Sequence, residues 1–223
     1  MDQKKIDDIF RNIRFGVDYY PEHWPRERWE QDANLMQKMG IQVVRMGEFS
    51  WHKMEPEQGK FDFEWLADAA DFLGRHGVYT ILGTPTAAPP AWIIEQNPEI
   101  LPVNSNGQRM SFGGRHHDCQ SNKTYREHIR RFVTAMAERF KDHPYVIGWQ
   151  IDNELGNSHE DLCMCDSCQK AFQEWLQKKY HTMECLNKEW GTGFWSQDYD
   201  RFDQIPVPRK TPTVHNPSLL LDF

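Results

Sequence analysis

Four short runs with strand composition alternate with segments of helical periodicity, and this order limits the folds that the chain can adopt. The runs are FGVDYY (15–20), IQVVRM (41–46), VYTIL (78–82) and YVIGWQI (145–151). Consecutive strand–helix–strand units connect through right-handed crossovers and form a parallel sheet. The sequence therefore predicts an α/β fold with about four βα units.

Local signals predict where the first two helices begin and end. Pro25 suits the first turn of a helix, because its missing N–H would have no partner there, and Gly40 is expected to end that helix. Apolar residues of the second pattern run from 61 to 73, and Gly77 follows them. The charged residues 1–13 are expected to form a terminal helix or arm.

The later part of the chain is less regular. Residues 83–124 contain several prolines and glycines, and a loop of that length in a compact domain is usually functional. Thr124 and Glu127 have the spacing of a capping box at the start of the next helix. A further helix is expected over about residues 169–180, whereas prolines within 204–217 oppose regular structure.

Composition excludes several classes of partner. The chain of 223 residues carries a formal charge of −7, with lysines and arginines scattered rather than clustered, so neither nucleic acid nor a membrane surface is expected to bind. No apolar run approaches the roughly 18 residues that span a bilayer, and the first residues lack the apolar core of a signal peptide. We expect a cytoplasmic protein.

The fourth apolar run ends in polar residues that have the character of a catalytic site. Asp152, Asn153 and Glu154 follow it directly, and the carboxyl ends of parallel strands carry the active sites of α/β proteins. Burial there could keep Glu154 protonated as a general acid. A helix cap or loop carboxylate is the structural alternative. Strict alternation places Asn153 and Glu154 on opposite faces, so a bulge or turn must intervene.

Four of the five cysteines have the spacing of a metal site. Cys119 precedes a Cys-x-Cys-x-x-Cys cluster formed by Cys163, Cys165 and Cys168, and Cys185 is left over. Four thiolates form a closed tetrahedral site, which predicts a structural zinc ion between the loops after the third and fourth strands. Two alternatives remain: ordinary reduced thiols, or an open catalytic site that uses a histidine ligand, His116 or His117.

Arg115 opens a charged RHHD segment just before the first of these cysteines. Its guanidinium could donate several hydrogen bonds to hydroxyls or to a carboxylate, and a solvated charge run is the alternative. Among the tryptophans, Trp51, Trp92 and Trp149 could stack on a sugar or belong to the core, and the core is favoured for Trp149.

Several long motifs make the chain resemble the glycoside hydrolase family 42 β-galactosidases. They are GVDYYPEHWP, the WxxxEPxxGxFDF segment (51–63), LGTPTAAPPAW, GGRHHDCQ, GWQIDNELG and CxCxxC. The resemblance implies a TIM (β/α)8 barrel and retaining hydrolysis of terminal β-galactosides or related oligosaccharides. It assigns the acid/base to Glu154 and sugar contacts to Asn153 and Arg115. It also implies structural zinc on the four cysteines, no organic cofactor, and a homo-oligomeric full-length enzyme.

One requirement of that mechanism is missing from the sequence. A retaining glycosidase needs a second carboxylate about 5 to 5.5 Å from the first. In the resembled family it comes from the seventh strand, and Glu48, Glu55 and Glu160 do not match its motif. We therefore expect residues 1–223 to be the N-terminal half of the barrel domain, truncated before strands five to eight and inactive alone. The alternative is a zinc-stapled half-barrel that binds carbohydrate or a complementary chain without catalysis.

Overall fold

A computed structural model describes residues 7, 11, 13–155 and 162–223. Most of the predicted N-terminal arm (1–13), and Glu160, lie outside the described residues. The chain divides into two compact units. The first comprises Met1–Gln96 and Glu127–Leu155, and the second comprises Asn97–Arg126 and Gly156–Phe223.

The first unit contains the predicted parallel sheet. Its strands lie in the order β1-β2-β3-β4, and each pairs with the next in parallel. Their bounds are β1 Phe15–Asp18, β2 Ile41–Met46, β3 Tyr79–Gly83 and β4 Val146–Gln150. All four predicted strands are confirmed, with ends that shift by at most two residues. The α/β class with about four parallel βα units is therefore confirmed.

Eight α-helices lie in the described residues. In chain order they are α1 Trp29–Met39, α2 Trp51–Met54, α3 Glu64–Arg75, α4 Ala91–Gln96, α5 Lys123–Phe140, α6 Asp166–Tyr180, α7 Met183–Trp190 and α8 Pro217–Asp222. Short 3-10 turns occupy Pro21–His23, Arg26–Arg28, Pro85–Ala87, Pro98–Ile100, Phe194–Ser196 and Phe202–Gln204. None of these helices is long and apolar enough to cross a membrane.

The first two predicted helices are confirmed with adjusted starts. Pro25 precedes a 3-10 turn rather than the α-helix itself, and Gly40 ends α1 in the left-handed conformation, with φ 74°. The second predicted helix corresponds to α3, which begins at Glu64, three residues later than the pattern suggests. The carboxylate of Asp62 accepts a hydrogen bond from the Glu64 amide at 3.2 Å, which favours a start at this point.

The predicted capping box at Thr124 is wrong. Helix α5 already begins at Lys123, and Asn122 caps it, since its Oδ1 accepts a 3.0 Å hydrogen bond from the Tyr125 amide. Asparagine is among the best N-cap residues and is preferred over threonine. The helix therefore starts two residues earlier than it would with Thr124 as its cap.

The stretch 83–124 is also more ordered than predicted. It contains two 3-10 turns, helix α4 and a bridge between Val103 and Arg109. Both 3-10 turns begin with a proline, Pro85 or Pro98, and proline is favoured at a first helical position. The prolines thus start short helices here instead of preventing them.

Each unit has its own apolar core. In the first unit the rings of Trp51 and Phe132, both fully buried, lie 4.8 Å apart. The core of the second unit consists of Phe172, Leu176, Leu186, Trp190, Ile205 and Leu219. Helix α7 supplies two of these residues and was not predicted. Its cap is Thr182, whose hydroxyl accepts a hydrogen bond from the Cys185 amide at 3.2 Å.

The first strand of the sheet is exposed along its length, and the fourth is exposed at one position. Every residue of β1 is exposed, including Phe15 at 70%, and Trp149 in β4 is 38% exposed. The expectation that Trp149 belongs to the core is therefore wrong. An outer strand has a neighbour on one side only, so a bulky side chain on it can remain accessible to solvent.

Candidate active site

The ends of β1 and β2 are joined by a network of polar side chains around the buried Glu48. The Tyr20 hydroxyl donates a 2.9 Å hydrogen bond to Oε1 of Glu48. Arg45 lies 3.1 Å from the same oxygen through Nη2, which also lies 2.9 Å from the Asp18 carboxylate. Burial and the hydrogen bond to Glu48 raise the pKa of Tyr20. Burial lowers the pKa of Arg45, but the charges of Glu48 and Asp18 outweigh burial and raise it.

Glu48 is fully buried, and its position depends on two glycines. Gly47 before it has φ 94°, a conformation that favours glycine. A Cβ placed on Gly83 in β3 would lie 2.5 Å from the Cβ of Glu48, so only glycine leaves room for this side chain. Oε2 of Glu48 has no hydrogen-bond partner among the described residues.

A second network orders the turn that follows β4. The hydroxyl oxygen of Thr84, in the loop after β3, accepts a 2.7 Å hydrogen bond from the Asp152 amide. The Thr86 hydroxyl donates a 2.7 Å hydrogen bond to the Asp152 carboxylate. The other carboxylate oxygen of Asp152 accepts the Asn153 amide at 2.6 Å. Asp152 thereby ties the start of the turn to the neighbouring strand end.

The turn between Asn153 and Glu154 that strand alternation required is present. Asp152 and Glu154 both adopt the left-handed conformation, with φ 59° and 48°. Asn153 is 3% exposed, whereas the side chain of Glu154 is exposed. The expected burial of Glu154 is therefore not found in this chain, because the turn directs consecutive residues into different environments.

Asn153 has one polar group that the described protein leaves unpaired. Its Oδ1 accepts a 3.2 Å hydrogen bond from Nε2 of Gln150. Its Nδ2 has no acceptor among the described residues, although it is buried. A buried donor without a partner is costly, and a hydroxyl or carboxylate of a bound molecule would satisfy it.

Glu55 has a structural role. Its carboxylate accepts hydrogen bonds from Nε1 of Trp51 at 2.9 Å and from the Gly59 amide at 2.6 Å, and it forms an ion pair with Arg131. Its carbonyl accepts Nε1 of Trp92 at 3.1 Å. All of these contacts lie inside the first unit, so Glu55 stabilises the loop after β2.

The four predicted metal ligands converge in the second unit. The Sγ atoms of Cys119, Cys163, Cys165 and Cys168 all lie within 4.8 Å of one another. Cys119 lies 3.4 Å from both Cys165 and Cys168. A tetrahedral zinc ion with bonds of about 2.3 Å needs sulfurs about 3.8 Å apart, so the cluster fits such an ion. Among the described residues, neither His116 nor His117 belongs to this group.

The chemistry of the thiols also suits a cation. Hydrogen bonds with the three other cysteines, and then burial, raise the pKa of Cys119. Hydrogen bonds with Cys119 and Cys168, and to a smaller extent the backbone of Val103, outweigh the opposing effects of Cys165 and burial and lower the pKa of Cys163 to about 7. Adjacent sulfurs cannot all ionise without a positive charge, so they share protons. A divalent metal would take the place of those protons.

Arg115 lies in the second unit, whereas Asn153 and Glu154 lie in the first. It is half-buried and lines a cavity of about 210 Å³ together with His116, His117 and Asp118. Gly113 and Gly114 precede it with φ 137° and 71°. Positive φ favours glycine at both positions.

The sequence model of glycoside hydrolase family 42, described as β-galactosidase, matches residues 18–223. The chain belongs to glycoside hydrolase family 42. It is 47% identical over 216 residues to β-galactosidase BgaB of Geobacillus kaustophilus, an alignment that covers 97% of this chain and 32% of that protein. It is 49% identical over 208 residues to the β-galactosidase of Thermus thermophilus, covering 93% of this chain and 32% of the relative. The chain thus spans about a third of the length of these family 42 relatives.

A solved structure of the family gives the same result. The chain superposes on the β-galactosidase of the psychrophilic Marinomonas ef1 with a TM-score of 0.91 and 48% identity, covering 94% of this chain and 32% of the other. The four parallel βα units therefore correspond to the N-terminal half of a family 42 TIM barrel.

Sequence reasoning did not find the two polar networks of this family 42 chain. Tyr20 comes from a different segment than Arg45 and Glu48, and Thr86 comes from a different segment than Asp152. The available signal was that each apolar run is followed by polar residues. That signal locates the ends of the strands but does not say which polar groups pair.

Proposed function

We propose that this chain supplies the acid/base half of a retaining family 42 β-galactosidase active site, with Glu154 as the acid/base. The observation that carries this proposal is the turn after β4. It combines the exposed carboxylate of Glu154 with the buried Nδ2 of Asn153, which has no acceptor among the described residues. A glycosidic oxygen needs a proton donor that it can reach, and the adjacent sugar hydroxyl needs a hydrogen-bond partner.

The proposed reaction is a double displacement. A carboxylate nucleophile forms a bond to the anomeric carbon while the glycosidic C–O bond breaks, and Glu154 gives its proton to the departing oxygen. Glu154 then takes a proton from water, which attacks the anomeric carbon and releases the sugar and the nucleophile. Asn153 and Arg115 donate hydrogen bonds to sugar hydroxyls.

The nucleophile is the missing part of this site. Glu48 accepts hydrogen bonds from Tyr20 and Arg45, and Glu55 is held by Trp51 and Arg131. Neither carboxylate has the sequence context of the family's nucleophile. We therefore propose that residues 1–223 form the N-terminal portion of a TIM-barrel catalytic domain, before strands five to eight, and that this chain alone has no turnover.

The metal proposal is a structural zinc ion on Cys119, Cys163, Cys165 and Cys168. All four ligand positions would be occupied by protein, which leaves no open position for catalysis. No step of the proposed mechanism requires an organic cofactor. Terminal β-D-galactosides and oligosaccharides are the proposed substrates, the complete enzyme is proposed to be a homo-oligomer, and the cytoplasmic location stays a prediction.

Kinetics of Glu154→Gln in the full-length protein that carries this sequence would test the acid/base. Galactosides with poor leaving groups should lose most of their turnover, whereas activated aryl galactosides should retain far more, because they depart without a proton. Glu95→Gln is the control, since Glu95 is exposed on α4. Unchanged kinetics in Glu154→Gln would overturn the assignment.

The second candidate is a carbohydrate-binding half-barrel without catalysis. The unpaired Nδ2 of Asn153 favours it, because a donor of this kind can bind a sugar hydroxyl whether or not a reaction follows. Galactose titration of the 223-residue chain, followed by tryptophan fluorescence, distinguishes the two candidates. Tight saturable binding without hydrolysis would favour the binding role over the enzymatic one.

A further inference from the structure

The loop that carries Cys163 and Cys165 is held by a residue that is not a metal ligand. Nε and Nη2 of Arg209 donate hydrogen bonds of 3.3 Å and 2.8 Å to the carbonyl oxygen of Met164, the residue between these two cysteines. The Met164 amide donates a 2.7 Å hydrogen bond to the carbonyl of Val103. Both the amide and the carbonyl of Met164 are therefore held by hydrogen bonds.

Arg209 is itself anchored by its neighbours along the chain. Val207 is 2% exposed, and its carbonyl accepts the Arg209 amide at 2.7 Å. The Lys210 amide donates a 2.8 Å hydrogen bond to the carbonyl of Ser105. These backbone bonds fix the position from which the Arg209 side chain extends, and its planar guanidinium presents two donors to one acceptor in a fixed geometry.

The guanidinium is directed at a peptide carbonyl more than at an acid. Asp166 lies 4.0 Å from Nη2, and its side chain is fully exposed. An exposed pair at that distance contributes little. The hydrogen bonds to Met164 are thus the main interaction of this side chain. The carbonyl that accepts them belongs to the peptide group between Met164 and Cys165.

This contact matters for a metal because a ligand must point at the ion. The plane of the Met164–Cys165 peptide sets the direction of the Cys165 side chain, which is 5% exposed and in contact with Cys119. Groups that orient metal ligands commonly change metal affinity.

We propose that Arg209 is a positioning residue of the four-cysteine metal site, which orients Cys165 through the Met164 carbonyl. This inference rests on the metal site of the proposed function, and it assigns to that site a residue 41 positions beyond its last ligand (209 − 168).

The test measures metal binding by the 223-residue chain, with Zn²⁺ and Co²⁺ as probes. Zn²⁺ affinity is measured by competition with a chromophoric chelator for wild type and for Arg209→Gln, and a loss of roughly 10- to 100-fold is expected. The thiolate-to-Co²⁺ charge-transfer band should keep its intensity per bound ion, because four sulfurs remain. The ligand-field bands should shift, because the geometry is less constrained.

Two further variants make the result specific. Arg209→Lys keeps the charge but not the forked donor, so its affinity should lie between those of wild type and Arg209→Gln. Arg201→Gln is the matched control, since Arg201 is exposed, belongs to the same unit and pairs with Asp203 at 3.0 Å. Its affinity should remain within about twofold of wild type.

Each outcome decides the matter. Wild-type affinity and an unshifted Co²⁺ spectrum in Arg209→Gln would overturn the inference while leaving the metal site intact. Absence of metal binding by the wild type would overturn the metal site itself, and this role with it. If Arg209→Gln does not fold, the comparison of Arg209→Lys with wild type decides, and equal affinity would refute a positioning role.

Discussion

The hydroxyl of Thr86 donates a 2.7 Å hydrogen bond to the carboxylate of Asp152, and both side chains are buried. Asp152 stands directly before Asn153 and Glu154, so this bond links the loop after β3 to the turn that presents the proposed acid/base. A buried carboxylate needs such donors, because its charge is otherwise poorly solvated.

Thr86→Val should destabilise the first unit. Valine has a similar shape but cannot donate, so one buried oxygen of Asp152 loses its partner. The expected loss in free energy of unfolding is about 1–3 kcal/mol, measured by urea denaturation. Thr211→Val, at an exposed position, should change it by less than about 0.5 kcal/mol. Equal effects of both substitutions would show that the hydrogen bond is unimportant.

Gly83→Ala should be harmful because of Glu48. The new methyl group would lie 2.5 Å from Cβ and 2.9 Å from Cα of Glu48, so backbone must move. We expect a loss of about 1–3 kcal/mol in the free energy of unfolding. Gly148→Ala in the adjacent strand is the control, since its nearest neighbour would be Ile81 Cγ1 at 3.7 Å. If Gly148→Ala were as damaging as Gly83→Ala, close packing on Glu48 could not be the cause.

Metal content should depend on the cysteine cluster and not on Cys185. The reduced chain should bind about one Zn²⁺, and chelation should lower its melting temperature, because metal binding contributes to folding free energy. Cys119→Ser should lose most of the bound zinc, measured by elemental analysis after dialysis. Cys185→Ser, at an exposed position outside the cluster, should retain it. Full zinc in Cys119→Ser, with loss only when the other cysteines are also replaced, would contradict a four-thiolate site.

Asp222 should make the second unit sensitive to acid. Burial raises the pKa of Asp222, but hydrogen bonds from Lys179, Tyr180 and Trp190 outweigh burial and hold it below its ordinary value. A lowered folded-state pKa stabilises the protein above the unfolded-state pKa, and this stabilisation is lost as the pH falls through the folded-state pKa. Asp222→Asn should therefore cost about 1–3 kcal/mol at pH 7, and this difference from wild type should shrink below about pH 4.

Urea denaturation at a series of pH values measures this effect. Asp203→Asn is the matched control, because Asp203 lies in the same unit, its side chain is 70% exposed, and it forms an ion pair with the exposed Arg201. It should alter stability by less than about 0.5 kcal/mol at every pH. A constant difference between Asp222→Asn and wild type down to pH 3 would contradict the role of the charge.

The exposed outer strands should cause self-association. Val17 in β1 is 40% exposed and Ile151, one residue past β4, is 77% exposed. Unpaired edges with apolar side chains favour pairing with another chain. Size-exclusion chromatography with light scattering should show dimers or larger species that increase with concentration, and Ile151→Lys should reduce them. Leu221→Lys, at an 84% exposed position in the second unit, is the control. A monodisperse monomer at every concentration would refute this prediction.

The strands were predictable because each is a short apolar run, and parallel pairing follows from the helices between them. The proximity of Cys119 to the other three cysteines was also predictable, because the loops after adjacent parallel strands lie at the same edge of the sheet. The pairing of Tyr20 with Glu48 was not, because it joins residues from two segments through a contact that no local pattern records. The exposure of Trp149 was missed for a related reason: composition does not distinguish an outer strand from an inner one.

One residue of the turn after β4 places stability and chemistry in conflict. Glu154 is left-handed without being glycine, which costs on the order of 1–2 kcal/mol, whereas the left-handed Asp152 is held by the hydrogen bonds of its carboxylate. A library of variants selected only for resistance to heat is therefore expected to accumulate glycine or asparagine at position 154. Such a selection would remove the carboxylate proposed to perform the reaction, so thermostable descendants of this sequence should be sought with activity as a second criterion.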